Sequence, residues 1–424
     1  MTTRLTSATY LDRLRGGMGP TPYRTWLVLL GVLMAAGAVA GLIVFSRGLV
    51  VTNLNDIVPW GLWITIDLSA IAMSAGAFLL CAAVYLLGLR QYQPLARTAT
   101  YLGLIGYSMA VLTLLLDIGR PDRFWHALVY WNPHSVLWEV TMCVTLYFSV
   151  LLLEAAPIFG RTAWMQLRWP RIAASVQSLH KLAPYLAVVG LGLSLLHQSS
   201  LGATYGVLKA RPIWYRPDLS VLFIVSAMAA GPALTVLVTM LAARLRKGVR
   251  VDDNLLEKVA AFIGWVLVGY LYFRFWDAFA MTYTYEPGRT EGLRFITGGP
   301  LSFNFWVLEI LLGAIVPIVI LLHGPWRANG LLRMLALGLV VAGLVAYRWD
   351  MTMAGQLVII SYLPQDLATS YTTYVPSLIE VLTGAGIVAY GALAVTLGIR
   401  HLGVVDHTPE PEHEEVRLPL QVTT

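Results

Sequence analysis

The chain has 424 residues, 58% of them hydrophobic and 12% charged, with a formal net charge of +6. That composition is far too apolar for two or three water-soluble domains and leaves a membrane-embedded chain. The positive balance does not imply nucleic acid, because the basic residues lie between apolar runs instead of forming one patch.

The first 25 residues, MTTRLTSATYLDRLRGGMGPTPYRT, lack a compact apolar region with a small-residue cleavage site, so residues 1–25 are expected to precede a retained first span. Ten apolar runs then follow at 26–46, 60–89, 98–117, 136–156, 182–202, 219–243, 258–281, 303–323, 331–349 and 376–399. Crossing a bilayer core takes about 20 helical residues, and each run is near that length. None alternates as a barrel strand does, so the fold is all-α with about ten transmembrane helices. Counted at alternate ends of the runs, 19 of the 29 Lys and Arg residues fall on the side of the N-terminus. The positive-inside rule then places both termini in the cytoplasm. Residues 401–424 are acidic and proline-bearing, and read as a disordered cytoplasmic tail. Cys81 and Cys143 fall inside spans 2 and 4, and two thiols are too few for an iron–sulfur cluster.

A charged side chain inside a bilayer costs several kcal/mol, about 3 on insertion scales, so each one needs a reason. Asp117, Asp122, Arg120, Arg123, His126, His134 and Glu139 crowd the junction of runs 3 and 4. Converted to depth at about 1.5 Å per residue, Asp67, Asp117, Glu139, His197 and Gln198 all fall in the half of the membrane away from the N-terminus. So do Arg274, Asp277, Glu309, Arg348 and Glu380, while Glu154 and His323 lie near the N-terminal side. Loading one leaflet in this way suggests a site there.

Structural readings account for part of the list. Arg274 and Asp277 are spaced to pair on one helix face. Arg123 suits snorkelling to headgroups, Asp122 the turn begun by Pro121, and Trp125, Tyr130, Trp131 and Trp138 an interfacial belt. Glu380 suits the first turn of its helix. Asp67, Glu139 and His197 resist such readings.

Three chemistries compete for the cluster. A bis-histidine haem needs two His at matched depth on facing helices, and only His197 lies well inside the half in question, so haem is disfavoured, with a pair of His197 and a loop histidine, His126 or His134, as the form left open. Transport sites use matched interrupted helices, and Pro232 in run 6 and Pro317 in run 8 do not make such a pair, although a proton or ion translocator stays open. Quinone chemistry needs donors to two carbonyl oxygens and groups that connect them to water. Asp117, Glu139 and His197 could supply these, with Arg120 favouring the charged form of a neighbouring carboxylate.

The stretches PWGLWI (59–64), LLDIGRPDRFW (115–125), HQSSLGA (197–203), RPIWYRPDLSVLFIVSAMAAG (211–231) and YVPSLIE (374–380) together resemble the NrfD/PsrC-like membrane subunits, nearest to the HybB branch of hydrogenase-linked subunits. The resemblance implies two four-helix bundles (60–202 and 203–350) flanked by a first span with its loop (26–59) and a last span (351–400). It implies a menaquinone or ubiquinone site in the first bundle near the periplasmic face, with no haem or cluster in this chain. It also implies a periplasmic ferredoxin-like iron–sulfur subunit as partner, with [NiFe] hydrogenase large and small subunits upstream, in a bacterial inner membrane. Polysulfide or molybdenum oxidoreductases and alternative complex III share this subunit type. Asp117, Arg120, His197 and Gln198 match its motifs; Asp67 and Glu139 come from depth alone. YRWD (347–350) departs from the Arg-Asn pair of that branch, which bears on a second-bundle proton path through Arg274, Asp277, Glu309 and Arg348.

Overall fold

The computed structural model describes residues 20–246, 249–284, 286–362 and 367–405, so most of the expected segments 1–25 and 401–424 lie outside the described residues. Among the described residues, ten helices are long and apolar enough to cross a membrane. Spans 1 to 5 are Pro22–Arg47, Leu62–Tyr85, Arg90–Asp117, Val136–Gly160 and Pro170–Gly206. Spans 6 to 10 are Asp218–Leu245, Asp253–Tyr283, Asn304–Leu322, Gly330–Leu357 and Leu378–Leu402. The protein is therefore an all-α polytopic membrane protein. With an even number of crossings, the described ends of spans 1 and 10 share one side, here the terminal face; the other side is the distal face.

Local chemistry sets the boundaries. Span 1 stops at Gly48 and span 3 just before Gly119, glycines with φ of 75° and 70° where a side chain would be strained. Ser135, Asp252 and Asn329 accept hydrogen bonds from backbone N–H groups at the starts of spans 4, 7 and 9. Span 10 opens with a capping box between Ser377 and Glu380. Span 9 runs past the expected end at 349 to Leu357, because Met351 to Leu357 are all buried against the rest of the protein. The β-branched stretch after it forms an antiparallel hairpin on the distal face, β1 (Val358–Tyr362) with β2 (Leu367–Tyr371), Val358 opposite Tyr371.

Spans 2 to 5 pack as one bundle and spans 6 to 9 as another, while spans 1 and 10 pack on each other and against span 3. Without a hydrophobic drive between helices in lipid, close approach relies on small residues. A Cβ on Gly37 would lie 2.6 Å from the Gly386 Cα, so spans 1 and 10 touch backbone to backbone. The same holds for Gly313 and Gly343 between spans 8 and 9, and for Gly76 and Gly231 between spans 2 and 6. The last crossing is the seam between the bundles. At the distal end of the seam, Tyr205 of span 5 packs on Trp214 and on Phe223 of span 6, with ring centroids 4.8 and 6.1 Å away.

Candidate functional site

The first bundle gathers its polar groups in a descending series from the distal face. Asp117 ends span 3, Glu139 is in the first turn of span 4, and Asp67 lies five residues into span 2, about 7 Å deep at 1.5 Å per residue. His197 on span 5 and Tyr107 on span 3 lie deepest, about 15 Å down and near the bilayer midplane.

His197 is fully buried, and its Nδ1 is 2.5 Å from the Tyr107 hydroxyl. The Tyr107 ring meets Tyr147 of span 4 edge-on at 4.3 Å, which fixes the phenol that fixes the imidazole. The Gln198 amide donates through Nε2 to the Ile71 carbonyl at 3.1 Å, so its oxygen is the end left for another partner. Glu139 accepts from the Ser200 hydroxyl at 2.8 Å, linking spans 4 and 5. Asp67 and Asp117 sit close enough for their charges to interact, as do Asp117 and Glu380.

Four of the buried atoms in this region, Asp67 Oδ1, Asp117 Oδ1, His197 Nε2 and Gln198 Oε1, find no hydrogen-bond partner among the described residues. Leaving a buried polar group unpaired costs about 1–3 kcal/mol, so these four atoms are the points in the first bundle where a polar ligand would gain most. A quinone fits this donor set: its carbonyl oxygens accept from N–H groups, and its reduced hydroxyls donate to carboxylates and amide oxygens.

Arg120 stands apart from this group. It is exposed on the distal loop and donates to both oxygens of Asp122, at 3.1 and 3.2 Å. That bond and the guanidinium charge hold the Asp122 carboxyl below its usual range. The carboxylate that Arg120 favours is therefore Asp122 and not Asp117. Trp125, Tyr130 and Trp131 are exposed on the same loop, as interfacial residues would be. Glu380 is fully buried and receives N–H bonds from Asn53 and Ser377 and the hydroxyl of Tyr374, so it ties three distal segments together.

The second bundle holds a different kind of cluster, a closed ion-pair chain. Asp277 is shared by Arg216 and Arg274, each at 2.6 Å, and Arg274 also bonds Glu309 at 2.8 Å. Tyr270 donates to Glu309 at 2.7 Å, and the π-helical turn Asn304–Ile315 presents that carboxylate. Asn304 donates to Asp350 at 2.7 Å, which places the aspartate of YRWD beside the chain. Arg348 is separate: its guanidinium lies 3.6 Å from the Phe223 ring centroid and bonds the Ser226 hydroxyl at 3.1 Å. The pairing expected of Arg274 and Asp277 is present, with Arg216 as a third member.

Sequence reasoning missed Tyr107, Arg216, Tyr270 and Asp350. Arg216 and Asp350 stood in quoted motifs, RPIWYRPD and YRWD, but Tyr107 carried no signal beyond being a tyrosine in an apolar run. Glu154, expected near the terminal face, lines a 350 Å³ cavity there with Arg97, Arg161 and His180. Among the described residues, no group of three or more His, Cys, Asp or Glu could hold a metal ion.

Residues 50–360 match the family model described as polysulphide reductase, NrfD. The chain belongs to the NrfD family. A relative in Nitratidesulfovibrio vulgaris, the integral membrane subunit of menaquinone reductase, is 34% identical over 400 residues, covering 92% of this chain and 93% of that one. The integral membrane subunit of an Hdr-like menaquinol oxidoreductase in Archaeoglobus fulgidus is 25% identical over 93% of this chain and 96% of its own. The probable Ni/Fe-hydrogenase 2 b-type cytochrome subunit of Escherichia coli is 29% identical over 88% of this chain and 89% of its own. These relatives carry the names of membrane subunits from several different oxidoreductases, so what this chain shares with them is the role of an oxidoreductase membrane subunit.

Proposed function

We propose that this NrfD protein exchanges electrons with a menaquinone-type quinone held in the first bundle, as the membrane subunit of a respiratory oxidoreductase whose catalytic centre is on another subunit. The observation that carries the reading is the cluster of four unpartnered buried polar atoms on Asp67, Asp117, His197 and Gln198. The menaquinone reductase relative supports the quinone type. When bound, the quinone supplies a carrier that takes up two electrons and two protons.

The chain's own residues provide position and protons. With the Tyr107 hydroxyl donating to Nδ1, the neutral imidazole of His197 carries its proton on Nε2 and offers a fixed donor. Gln198 offers an acceptor whose orientation is set by the Ile71 carbonyl. Asp67 and Asp117, at successive depths, form steps between the bundle interior and the distal surface, and Ser200 holds Glu139 at the rim. Near-midplane burial keeps bulk water from the donor pair.

Electrons enter from a partner at the distal face, where the loop carrying Arg120 and Asp122 is exposed. An iron–sulfur subunit of ferredoxin type suits that role, and positive-inside charge bias orients the distal face to the periplasm of a bacterial inner membrane. Hydrogen oxidation through [NiFe] hydrogenase subunits is the second reading upstream, favoured by the hydrogenase-linked relative. A proton path through Arg274, Asp277, Glu309 and Arg348 would make turnover electrogenic. A membrane potential generated by the reconstituted complex would support that path, and its absence would remove it.

The test is His197→Ala and Asp117→Asn in the native complex. Both are expected to abolish quinone reduction while upstream dye reduction continues. Normal quinone turnover in both variants would refute the site.

A further inference from the structure

Spans 1, 2, 3, 6 and 10 line a groove of about 730 Å³ that extends to the terminal ends of spans 1, 6 and 10. Its wall is made of aliphatic and aromatic side chains with small residues such as Ala70, Gly106, Gly391 and Ala392, so a flexible chain can lie against the helices. Among the described residues, the lining contains two arginines, Arg246 and Arg400, and no acidic side chain. Both stand at the open end: Arg246 follows the last residue of span 6, and Arg400 is in the final turn of span 10. Arg246 donates to the Ile399 carbonyl, and the Arg400 guanidinium lies 4.0 Å from the Tyr23 ring centroid, so both heads are held at the rim.

We infer that this groove binds one anionic diacyl phospholipid from the leaflet at the terminal face. Length supports the assignment: Val388 to Arg400 on span 10 rise about 18 Å, close to the half-thickness of a hydrocarbon core of about 30 Å. Charge supports it as well, because basic pockets between spans select anionic headgroups, and a guanidinium bonds phosphate oxygens through two parallel N–H groups. Acyl chains gain about 0.8 kcal/mol for each buried CH₂, which the apolar wall can supply. The lipid would pin the pair of spans 1 and 10 to span 6, and so to the second bundle.

The experiment uses the full chain, delipidated in mild detergent and then given phosphatidylglycerol or phosphatidylcholine with the same acyl chains. Phosphatidylglycerol is expected to raise the thermal unfolding midpoint several degrees more than phosphatidylcholine, and native mass spectrometry is expected to retain one anionic phospholipid per chain. Arg246→Gln with Arg400→Gln should erase the preference, and the double Lys variant should keep it. Should the Gln pair fail to fold, Leu241→Trp fills the groove with both arginines intact and should lose the retained lipid. Equal stabilisation by the two lipids, an equal effect from inorganic phosphate, or retention of a quinone in place of the phospholipid would each overturn the inference.

Discussion

The Tyr107 hydroxyl and His197 Nδ1 lie 2.5 Å apart across the first bundle, on spans 3 and 5, which run in the same direction through the membrane. Both residues are buried, and no other described side chain bonds the imidazole. Tyr107→Phe removes one oxygen and keeps the ring that packs on Tyr147. Quinone reduction by the assembled complex is expected to fall about 10²-fold, the low end for a lost acid–base partner, with upstream dye reduction unchanged. An unchanged quinone rate would show that His197 does not depend on this bond.

Asp277→Ala removes the carboxylate that two buried guanidiniums share, leaving Arg274 with Glu309 alone and Arg216 without its closest carboxylate. Removing one partner from a buried ion pair costs about 3–5 kcal/mol. The variant is expected to lose thermal stability and yield of folded protein, as read by unfolding in detergent. If Asp277→Ala matched the wild type, the chain of charges would contribute nothing to folding.

Arg120→Ala tests the correction to the sequence reading. Arg120 and Asp122 are exposed side chains, with 63% and 60% of their area accessible, and such surface pairs contribute little. Stability should be unchanged, and quinone turnover with a soluble electron donor should match the wild type. A lost quinone rate under those conditions would place Arg120 in the site after all.

Gly231→Ala would put a Cβ 2.1 Å from the Gly76 nitrogen, where spans 2 and 6 meet backbone to backbone. Neither wall is a side chain that can rotate away, so overpacking should cost about 1–3 kcal/mol or more. Gly338→Ala, with nothing within 4 Å of the new carbon, is the matched control and should unfold as the wild type does. Similar midpoints for the two variants would mean that the seam yields.

The architecture was legible because each crossing announces itself as an apolar run, and each observed span overlaps an expected one, although span 3 starts at Arg90 and span 5 at Pro170, ahead of the expected 98 and 182. Span 9 overran its expected end because Asp350, Thr352 and Gln356 are polar yet buried, and hydropathy cannot tell a polar residue facing protein from one facing water. Depth singled out Asp67, Glu139 and His197 for the same physical reason that makes them costly. What depth could not give was azimuth, the direction in which a side chain leaves its helix. That angle turns Asp67 and Asp117 toward each other, whereas Arg120 lies beyond the end of span 3 on the distal loop and bonds Asp122. It also hid Tyr107, whose role exists only because span 5 brings His197 opposite.

The first and last spans are each other's closest neighbours: Trp26 donates to Thr396 across 370 positions of chain, and Gly37 meets Gly386. During synthesis the first helix must therefore wait in the lipid, its glycine face uncovered, until the final helix has been inserted. Contacts of such sequence separation form late, because the intervening chain must be placed before they can close. A chain halted before residue 378 would keep both bundles' helices and still lack the partner that retires its first span, which gives the cell's quality control a single exposed surface by which to recognise an unfinished molecule.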